Sequence, residues 1–350
     1  MDFELDEEQR ALRDAVRGLL KGYDPANDAE RRRQVTAADP GYDTALWGRY
    51  AELGLLGLPF SEEDGGAGAG PAEVAVVAEE IGRVLAPEPY VAAVVLAGGL
   101  VAAVGSAEQR AELLGGLSSG ERLLAYAHAD PDGIAEPVIQ GAAADTIVWH
   151  VGDDLFVAPR GEGAVASRTY DGGRSARLTF DAATATRLGS ATDEAARAAF
   201  ARARIAACHE ALGAMETALS TTVEYLKTRQ QFGVTLNRFQ ALTFRAADCY
   251  MALELARSVV TWATMVACEG TPAQTVEAAA QAKLQVARAG RHIGQEAIQL
   301  HGGIAMTDEY SVGHFTERLT AINHWLGDER AMVTGLAGSL GDHTILEPLG

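Results

Sequence analysis

Apolar positions recur along this chain with two different periods, and the change of period divides it in three. Through about residue 118 they fall three and four apart. Leu12, Val16, Leu19 and Leu20 share one face behind Asp6, whose D-E-E-Q run reads as a helix-opening capping box. The same spacing predicts helices over Thr44–Leu53, Pro71–Leu85, Tyr90–Val104 and Ala107–Leu114, with Pro71 in a first-turn position where its missing N–H costs nothing. From Glu121 to about Leu188 the period shortens. Runs such as T-I-V-W-H-V, L-F-V-A-P, A-V-A-S-R-T-Y and A-R-L-T-F are split by G-D-D, R-G-E-G and D-G-G-R turns, which predicts a small antiparallel sheet. Alternation in S-A-R-L-T-F gives that sheet one wet and one buried face. Beyond Thr192 helical spacing returns in long pieces, through Phe239, Leu242, Ala246, Cys249, Leu253, Ala256 and Val260, then Val276, Ala280, Leu284, Ala287, Gly294 and Ala297. Long helices joined by short loops make an antiparallel bundle, and the many Ala and Gly let the axes approach closely. The expected fold is mainly α with a small β middle domain: helices over residues 1–118, a β domain over 119–188 and a helical bundle over 189–350.

Composition narrows the function. At 350 residues and 48% hydrophobic, the chain has material for two or three domains with real cores. Its 48 acidic against 29 basic residues, a net charge of −19, argue against nucleic acid or an anionic membrane as the main partner. A local basic pocket for a phosphate remains open, because net charge does not describe individual pockets. Cys208, Cys249 and Cys268 form no C-x-x-C, and the eight histidines show no metal-binding spacing, so neither a disulfide framework nor a metal site is expected. The acidic start M-D-F-E-L-D-E-E-Q-R has no apolar core of a secretory signal. The run Y-V-A-A-V-V-L-A-G-G-L-V-A-A-V-G reads as a buried helix rather than a membrane span. A soluble, cytoplasmic protein is expected.

The candidate chemistry sits at two joints. G-G-A-G-A-G (Gly65–Gly70) follows no strand and lacks G-x-G-x-x-G spacing, so it reads as a flexible loop before a helix rather than a dinucleotide fingerprint. His209 and Glu210 are adjacent, point to different helix faces, and read as packing and surface. Two stretches are harder to dismiss. K-T-R-Q-Q-F-G-V-T-L-N-R-F-Q (Lys227–Gln240) interrupts two long helices to display Arg229, Phe232, Gly233 and Gln240. Q-L-H-G-G-I-A-M-T-D-E-Y (Gln299–Tyr310) ends a helix at Gly302–Gly303, where the absence of Cβ atoms lets a ligand approach the backbone. An exposed arginine facing such a turn across a subunit boundary suits a diphosphate, since guanidinium gives bidentate, charge-assisted bonds to phosphate oxygens. A surface salt bridge and an ordinary helix cap account for the same residues.

With these motifs in hand the chain resembles the acyl-CoA dehydrogenase family over essentially its whole length. F-E-L-D-E-E-Q-R-A-L-R-D-A-V-R-G-L-L is similar to the family's opening helix. W-G-R-Y-A-E-L-G-L-L-G-L-P-F-S-E-E-D-G-G-A-G-A-G with E-E-I-G-R-V-L-A-P-E-P resembles its N-terminal signature, while Y-L-K-T-R-Q-Q-F-G-V-T-L-N-R-F-Q-A-L-T-F-R-A-A-D and A-I-Q-L-H-G-G-I-A-M-T-D-E-Y-S-V resemble its two C-terminal signatures. The resemblance implies an N-terminal helical domain, an antiparallel β domain and a C-terminal four-helix bundle, assembled as a tetramer with FAD between subunits. It implies that Arg229 reaches the flavin diphosphate of a neighbouring subunit, with Phe232 beside it and Gln240 opening the next helix. Gln299, Gly302 and Gly303 fall on the adenine and diphosphate side. The Lys227–Gln240 joint is then half of a cofactor clamp lent to a partner. The implied reaction is α,β-dehydrogenation of an acyl-CoA thioester, in which a carboxylate base takes the α-proton and flavin takes the β-hydride, with an electron-transfer flavoprotein as acceptor.

The chain departs from that pattern where the chemistry belongs. One family base is the Glu of a Y-E-G-T string; the matching position, in H-W-L-G-D-E, is Leu326. An earlier alternative position falls near Ala203. No catalytic residue is assigned, and Glu309, Asp328 and Glu329 are the carboxylates open to a relocated role. The loop and the W-I-T-N segment that hold the flavin ring in relatives are also missing, A-Y-A-H-A-D-P-D-G-I-A-E-P standing in place of the first. These departures fit the short subunit of heterotetrameric members associated with bacterial steroid side-chain degradation, in which a larger homologous subunit carries the base. A homo-oligomeric enzyme with a relocated base and a non-catalytic oligomerisation subunit are the alternatives.

Overall fold

The computed structural model describes residues 5–23, 29–161, 163–339 and 341. Its N-terminal part is helical: α1 (Glu7–Leu20), α2 (Ala29–Ala37), α3 (Thr44–Glu52), α4 (Pro71–Val84), a wide turn region Tyr90–Gly98 running into α5 (Gly99–Val104), and α6 (Ala107–Ser118). The capping box forms as read, with Asp6 Oδ1 accepting from Gln9 N–H at 2.8 Å and Gln9 Oε1 from Asp6 N–H at 3.2 Å. α2 is the helix the apolar pattern misses, because its sequence A-E-R-R-R-Q-V-T-A has almost no apolar face. Tyr90–Gly98 is buried throughout and wound with i→i+5 bonds, the Gly99 N–H reaching Val94 O.

The β region is two sheets rather than one. The first runs β1 (Leu124–His128), β3 (Thr146–Val151), β4 (Asp154–Pro159), β7 (Thr186–Ser190); the second runs β2 (Ile134–Ile139), β6 (Arg174–Thr179), β5 (Val165–Arg168). The expectation of a purely antiparallel sheet is corrected at one pair: β1 lies parallel to β3, with Leu124 opposite Thr146 and His128 opposite His150. The intervening β2 crosses to the other sheet, which is what allows β1 and β3 to run the same way. Trp149 on β3 stacks between Phe156 and Phe180, centroids 4.8 and 4.6 Å away, and so fills the space between the sheets. The predicted alternation holds in β6, where Ala176 and Leu178 are buried while Arg177 and Thr179 are exposed.

α7 (Glu194–Thr228), α8 (Gln240–Glu269), α9 (Pro272–His301) and α10 (Ser311–His324) form the bundle, with α11 (Glu329–Gly338) packed on α9. α4 crosses α7 almost backbone to backbone. A Cβ on Gly82 would lie 1.8 Å from Glu210 O, and one on Gly213 would lie 2.0 Å from Glu79 O. Reciprocal glycines thus fix the N-terminal helices against the bundle, and any side chain at either position would force them apart. α8 is apolar and long enough to cross a membrane, yet it packs against α9 and α7; Phe244, Met251 and Leu255 on its outer face are exposed.

Candidate cofactor-binding site

The two joints singled out in the sequence lie at one end of the bundle. α7 and α9 run in the same direction, and their C-terminal ends meet through aromatic rings: Tyr225 on α7 packs on His301 of α9 at 4.4 Å, with Tyr310 5.1 Å from His301. Arg229 follows α7 in extended conformation, its N–H donating to Tyr225 O at 2.8 Å and its carbonyl accepting from Leu236 N–H at 2.9 Å. Its backbone is therefore held at both ends. Its guanidinium is exposed and has no hydrogen bond or ion pair with any described residue. That removes the surface salt bridge as an account of this arginine.

Between Arg229 and α8 the chain makes a two-residue hairpin, β8 (Gln230–Gln231) pairing with β9 (Val234–Thr235). The turn residues Phe232 and Gly233 both have positive φ, 55° and 82°, as a type I′ turn requires. Glycine adopts that region freely, whereas phenylalanine is strained there by about 1 kcal/mol or more. The strain serves no internal packing, since the Phe232 ring is 89% exposed and touches only the edge of Phe239, 6.1 Å away. Gln240, also exposed, is the first residue of α8, whose N-terminus has no side-chain cap.

Opposite this hairpin, α9 ends at His301 and Gly302 takes φ 70°, ψ −148°, a region open essentially to glycine alone. Cβ atoms on Gly302 or Gly303 would meet nothing within 4 Å. The glycines therefore make no room for their own chain; they bare backbone outward. Gln299 is exposed on the last turn of α9. A free cation, two exposed amides, an unpacked aromatic ring and a bare glycine turn form an open edge with the chemistry to grip an anionic, ring-bearing group. These residues fit the diphosphate and adenine side of FAD.

The flavin-ring and base side does not fit. Leu326 sits after α10 with φ 60°, its carbonyl accepting from Arg204 Nε at 3.0 Å. Just before it, Lys283 Nζ donates to Ile322 O. Two cations hold this turn, and an aliphatic side chain occupies the base position. Ala203, the other base position, is fully buried. Asp328 caps α11 by accepting from Ala331 N–H at 2.8 Å. Glu329 is bound to Arg288 at 3.0 Å and Arg291 at 2.9 Å, and hydrogen bonding to Arg288 holds its pKa below the usual carboxylate range, the opposite of what a base needs.

Sequence reasoning also missed the residues that fill the cleft between α10, α2 and the β5–β6 turn. Glu210, read as a surface residue, is corrected: it is 4% exposed and bound to Arg318 of α10. Asp171, in the D-G-G-R turn, is equally buried and bound to the same arginine. The signal was weak but present, for Arg318 stands beside the apolar positions Phe315, Leu319 and Ile322 that face the core. The cavity left here, walled by Arg32, Glu88, Tyr90, Gln140, Asp171, Arg318 and Trp325 among others, measures about 90 Å³. Burial pushes the Glu88 carboxyl up to about 7, yet its Oε1 is taken by Tyr23 OH and Asp43 N–H. A much larger groove, about 1010 Å³, lies between α1, α4, α7 and α8, and neither cavity is lined by Leu326 or Ala203. Its Arg83 and Arg257 are paired with Glu79 and Glu216.

The fold, a helical layer, a β layer and a helical bundle, is that of a flavin-dependent acyl-thioester oxidoreductase. The sequence models described as acyl-CoA dehydrogenase, N-terminal domain and C-terminal domain match residues 6–121 and 194–340, and the chain belongs to this family. It is 35% identical to acyl-CoA dehydrogenase IpdE2 of Mycobacterium tuberculosis, over 89% of this chain and 91% of that one. Among solved structures it is similar to the Tcur3481-Tcur3483 steroid ACAD G363A variant (TM-score 0.87, 30% identity, 96% and 98% of the two chains). The ChsE4-ChsE5 complex from Mycobacterium tuberculosis shares the fold (TM-score 0.87, 24% identity, 99% and 100%). Members of the family are FAD-dependent oxidoreductases acting on CH–CH bonds.

Proposed function

We propose that this chain is the short subunit of a two-component acyl-CoA dehydrogenase and that the end of its bundle completes an FAD site on a larger homologous partner. The observation that carries the reading is the contrast between an outward edge, the unpaired Arg229 guanidinium near the bare Gly302–Gly303 turn, and the aliphatic Leu326 and Ala203 at the positions that match the family's base. Arg229, Phe232, Gln240, Gln299, Gly302 and Gly303 would hold the diphosphate and adenine side of the cofactor. FAD, when bound, supplies hydride acceptance from the β-carbon of an acyl-CoA thioester. This chain's part is to grip and orient; the proton acceptor comes from the partner. Reoxidation falls to an electron-transfer flavoprotein, and the setting is cytoplasmic. The similarity to relatives named for steroid oxidation and for a two-chain complex supports the same reading.

The test is co-expression with a larger homologue and a count of flavin per chain. One flavin for every two chains is expected, and one per chain would refute the shared site. In the assembled complex Arg229→Ala removes charge-assisted bonds worth roughly 1.5–3 kcal/mol, so flavin retention falls about 10- to 150-fold while the subunit's own melting is unchanged. Undiminished retention would remove Arg229 from the clamp.

A further inference from the structure

We infer that the cleft lined by Glu88, Tyr90, Gln140 and Arg174 is a binding site for a small neutral carboxamide, a planar group that accepts hydrogen bonds at its oxygen and donates them from its nitrogen. The inference goes beyond the shared-site reading and does not rest on it, since none of these residues belongs to the proposed FAD clamp.

Each of the four residues lines the same cavity and carries a buried polar atom with no hydrogen-bond partner among the described residues: Glu88 Oε2, Tyr90 OH, Gln140 Oε1 and Arg174 Nε. Glu88, Tyr90 and Gln140 are only 3%, 0% and 5% exposed, so the surface offers them no substitute. A native fold keeps few such groups, because each costs its full desolvation when left unpaired. The local backbone is shaped to place them. Gln140 has φ 57°, a left-handed conformation unfavourable for a long side chain, and its N–H donates to Arg174 O at 2.9 Å, which ties two of the cavity residues together. Tyr90 opens the stretch wound with i→i+5 bonds, a form met mostly as short insertions at functional sites. Gly41, at φ 90°, makes room for the Arg174 stem; a Cβ there would lie 2.1 Å from Arg174 Cγ. Arg174 Nη2 is meanwhile held by Ala37 O at 2.7 Å and by Asp39 at 3.0 Å, which fixes the guanidinium with its Nε unused.

The unpaired atoms sort by polarity. Glu88 Oε1 already accepts from Tyr23 OH and Asp43 N–H, and burial raises this carboxyl to about 7, so below that pH its proton is carried on Oε2. Glu88 Oε2, Tyr90 OH and Arg174 Nε are then three donors, and Gln140 Oε1 is one acceptor. A carbonyl oxygen matches the donors and an amide N–H matches Gln140. A carboxylate would match the donors alone, leave Gln140 unpaired, and meet Asp171 and Glu210, the carboxylates that hold Arg318 on the same wall. Volume sets the size: a cavity of roughly 150 Å³ holds a six-carbon ring, so about 90 Å³ takes about four heavy atoms, as in acetamide. Ala92, Ile322 and Trp325 supply apolar wall for its methyl group.

The test is saturation-transfer NMR of acetamide with the full-length chain at pH 6. Saturable binding is expected, with half-saturation in about the millimolar range for a ligand of about four heavy atoms. Tyr90→Phe and Gln140→Met each weaken it about 2- to 12-fold. Acetone, of the same size but without an N–H, binds weaker than acetamide by a similar factor. Because the Tyr90 hydroxyl has no partner among the described residues, Tyr90→Phe leaves the thermal midpoint of the ligand-free chain no lower than wild type, so its weakened binding is not the mark of a damaged fold. Absence of saturable binding, which a cleft filled by water alone would give, overturns the proposal. So does acetone binding as tightly as acetamide, or both variants binding acetamide as tightly as wild type.

Discussion

Lys283 makes the most exacting test of how the turn bearing Leu326 is supported. Its side chain is completely buried on α9, donates to the carbonyl of Ile322 on α10, and has no carboxylate partner among the described residues. Burial lowers its pKa from the ordinary 10.5 to about 8. At pH 7 it is protonated in both the folded and unfolded chain, so the fold carries a desolvated ammonium. Between pH 8 and 10.5 the unfolded chain binds more protons than the folded one, and stability gains from this residue as pH rises. The shift corresponds to roughly 3 kcal/mol across that window. Lys283→Met removes the titration and also leaves the Ile322 carbonyl unpaired, a cost of about 1–3 kcal/mol at every pH. The variant should therefore be about as stable as wild type at pH 7 and less stable by a few kcal/mol at pH 10.5. Urea unfolding of both proteins at several pH values gives the difference, in which the buried tyrosines and cysteines, common to both, cancel. A pH-independent difference would show that the ammonium is not desolvated as the packing of α7, α9 and α10 requires.

Glu88 titrates with the opposite consequence: its pKa is raised, so its stabilising contribution is present below the unfolded value and fades as pH rises through about 7. Glu88→Gln is expected to gain stability on wild type between pH 5 and 8 in thermal melts, and a constant difference over that range would contradict it. Phe232→Asn relieves the positive-φ strain in the hairpin and should raise stability by about 0.5–1 kcal/mol while weakening flavin retention in the complex; a stabilised variant with full retention would show that the exposed ring does not touch the cofactor. Leu326→Glu places a carboxyl at the position that matches the family's base yet should yield no flavin reduction by acyl-CoA in the lone chain, because the segments that hold the flavin ring in relatives are missing here; measurable reduction by the lone variant would refute the shared-site reading.

What was legible from the residues, and what was not, follows from the range of the interactions involved. Helices with a strong apolar face were readable because the helical period is local, and the capping box of Asp6 and Gln9 needs only residues three apart. α2 escaped because two of its three arginines are used at a distance, Arg32 on the β5–β6 turn and Arg31 on Asp43. Strands β1, β2 and β7 escaped for a related reason. L-A-Y-A-H and T-R-L-G-S are short and weakly alternating, and their identity as strands comes from β3 and β4 alongside. The expected clamp could be proposed from sequence because its residues follow each other in two short motifs, which the structure brings to one end of the bundle. The ion-pair cluster at Arg318 has no such motif. Its members come from positions 32, 171, 210 and 318, each unremarkable in its own segment, and only the closing of the three parts brings them together. Leu326 in place of a carboxylate is read from a single position, whereas the buried Arg318 guanidinium with Asp171 and Glu210 is seen only once the distant segments have closed on one another.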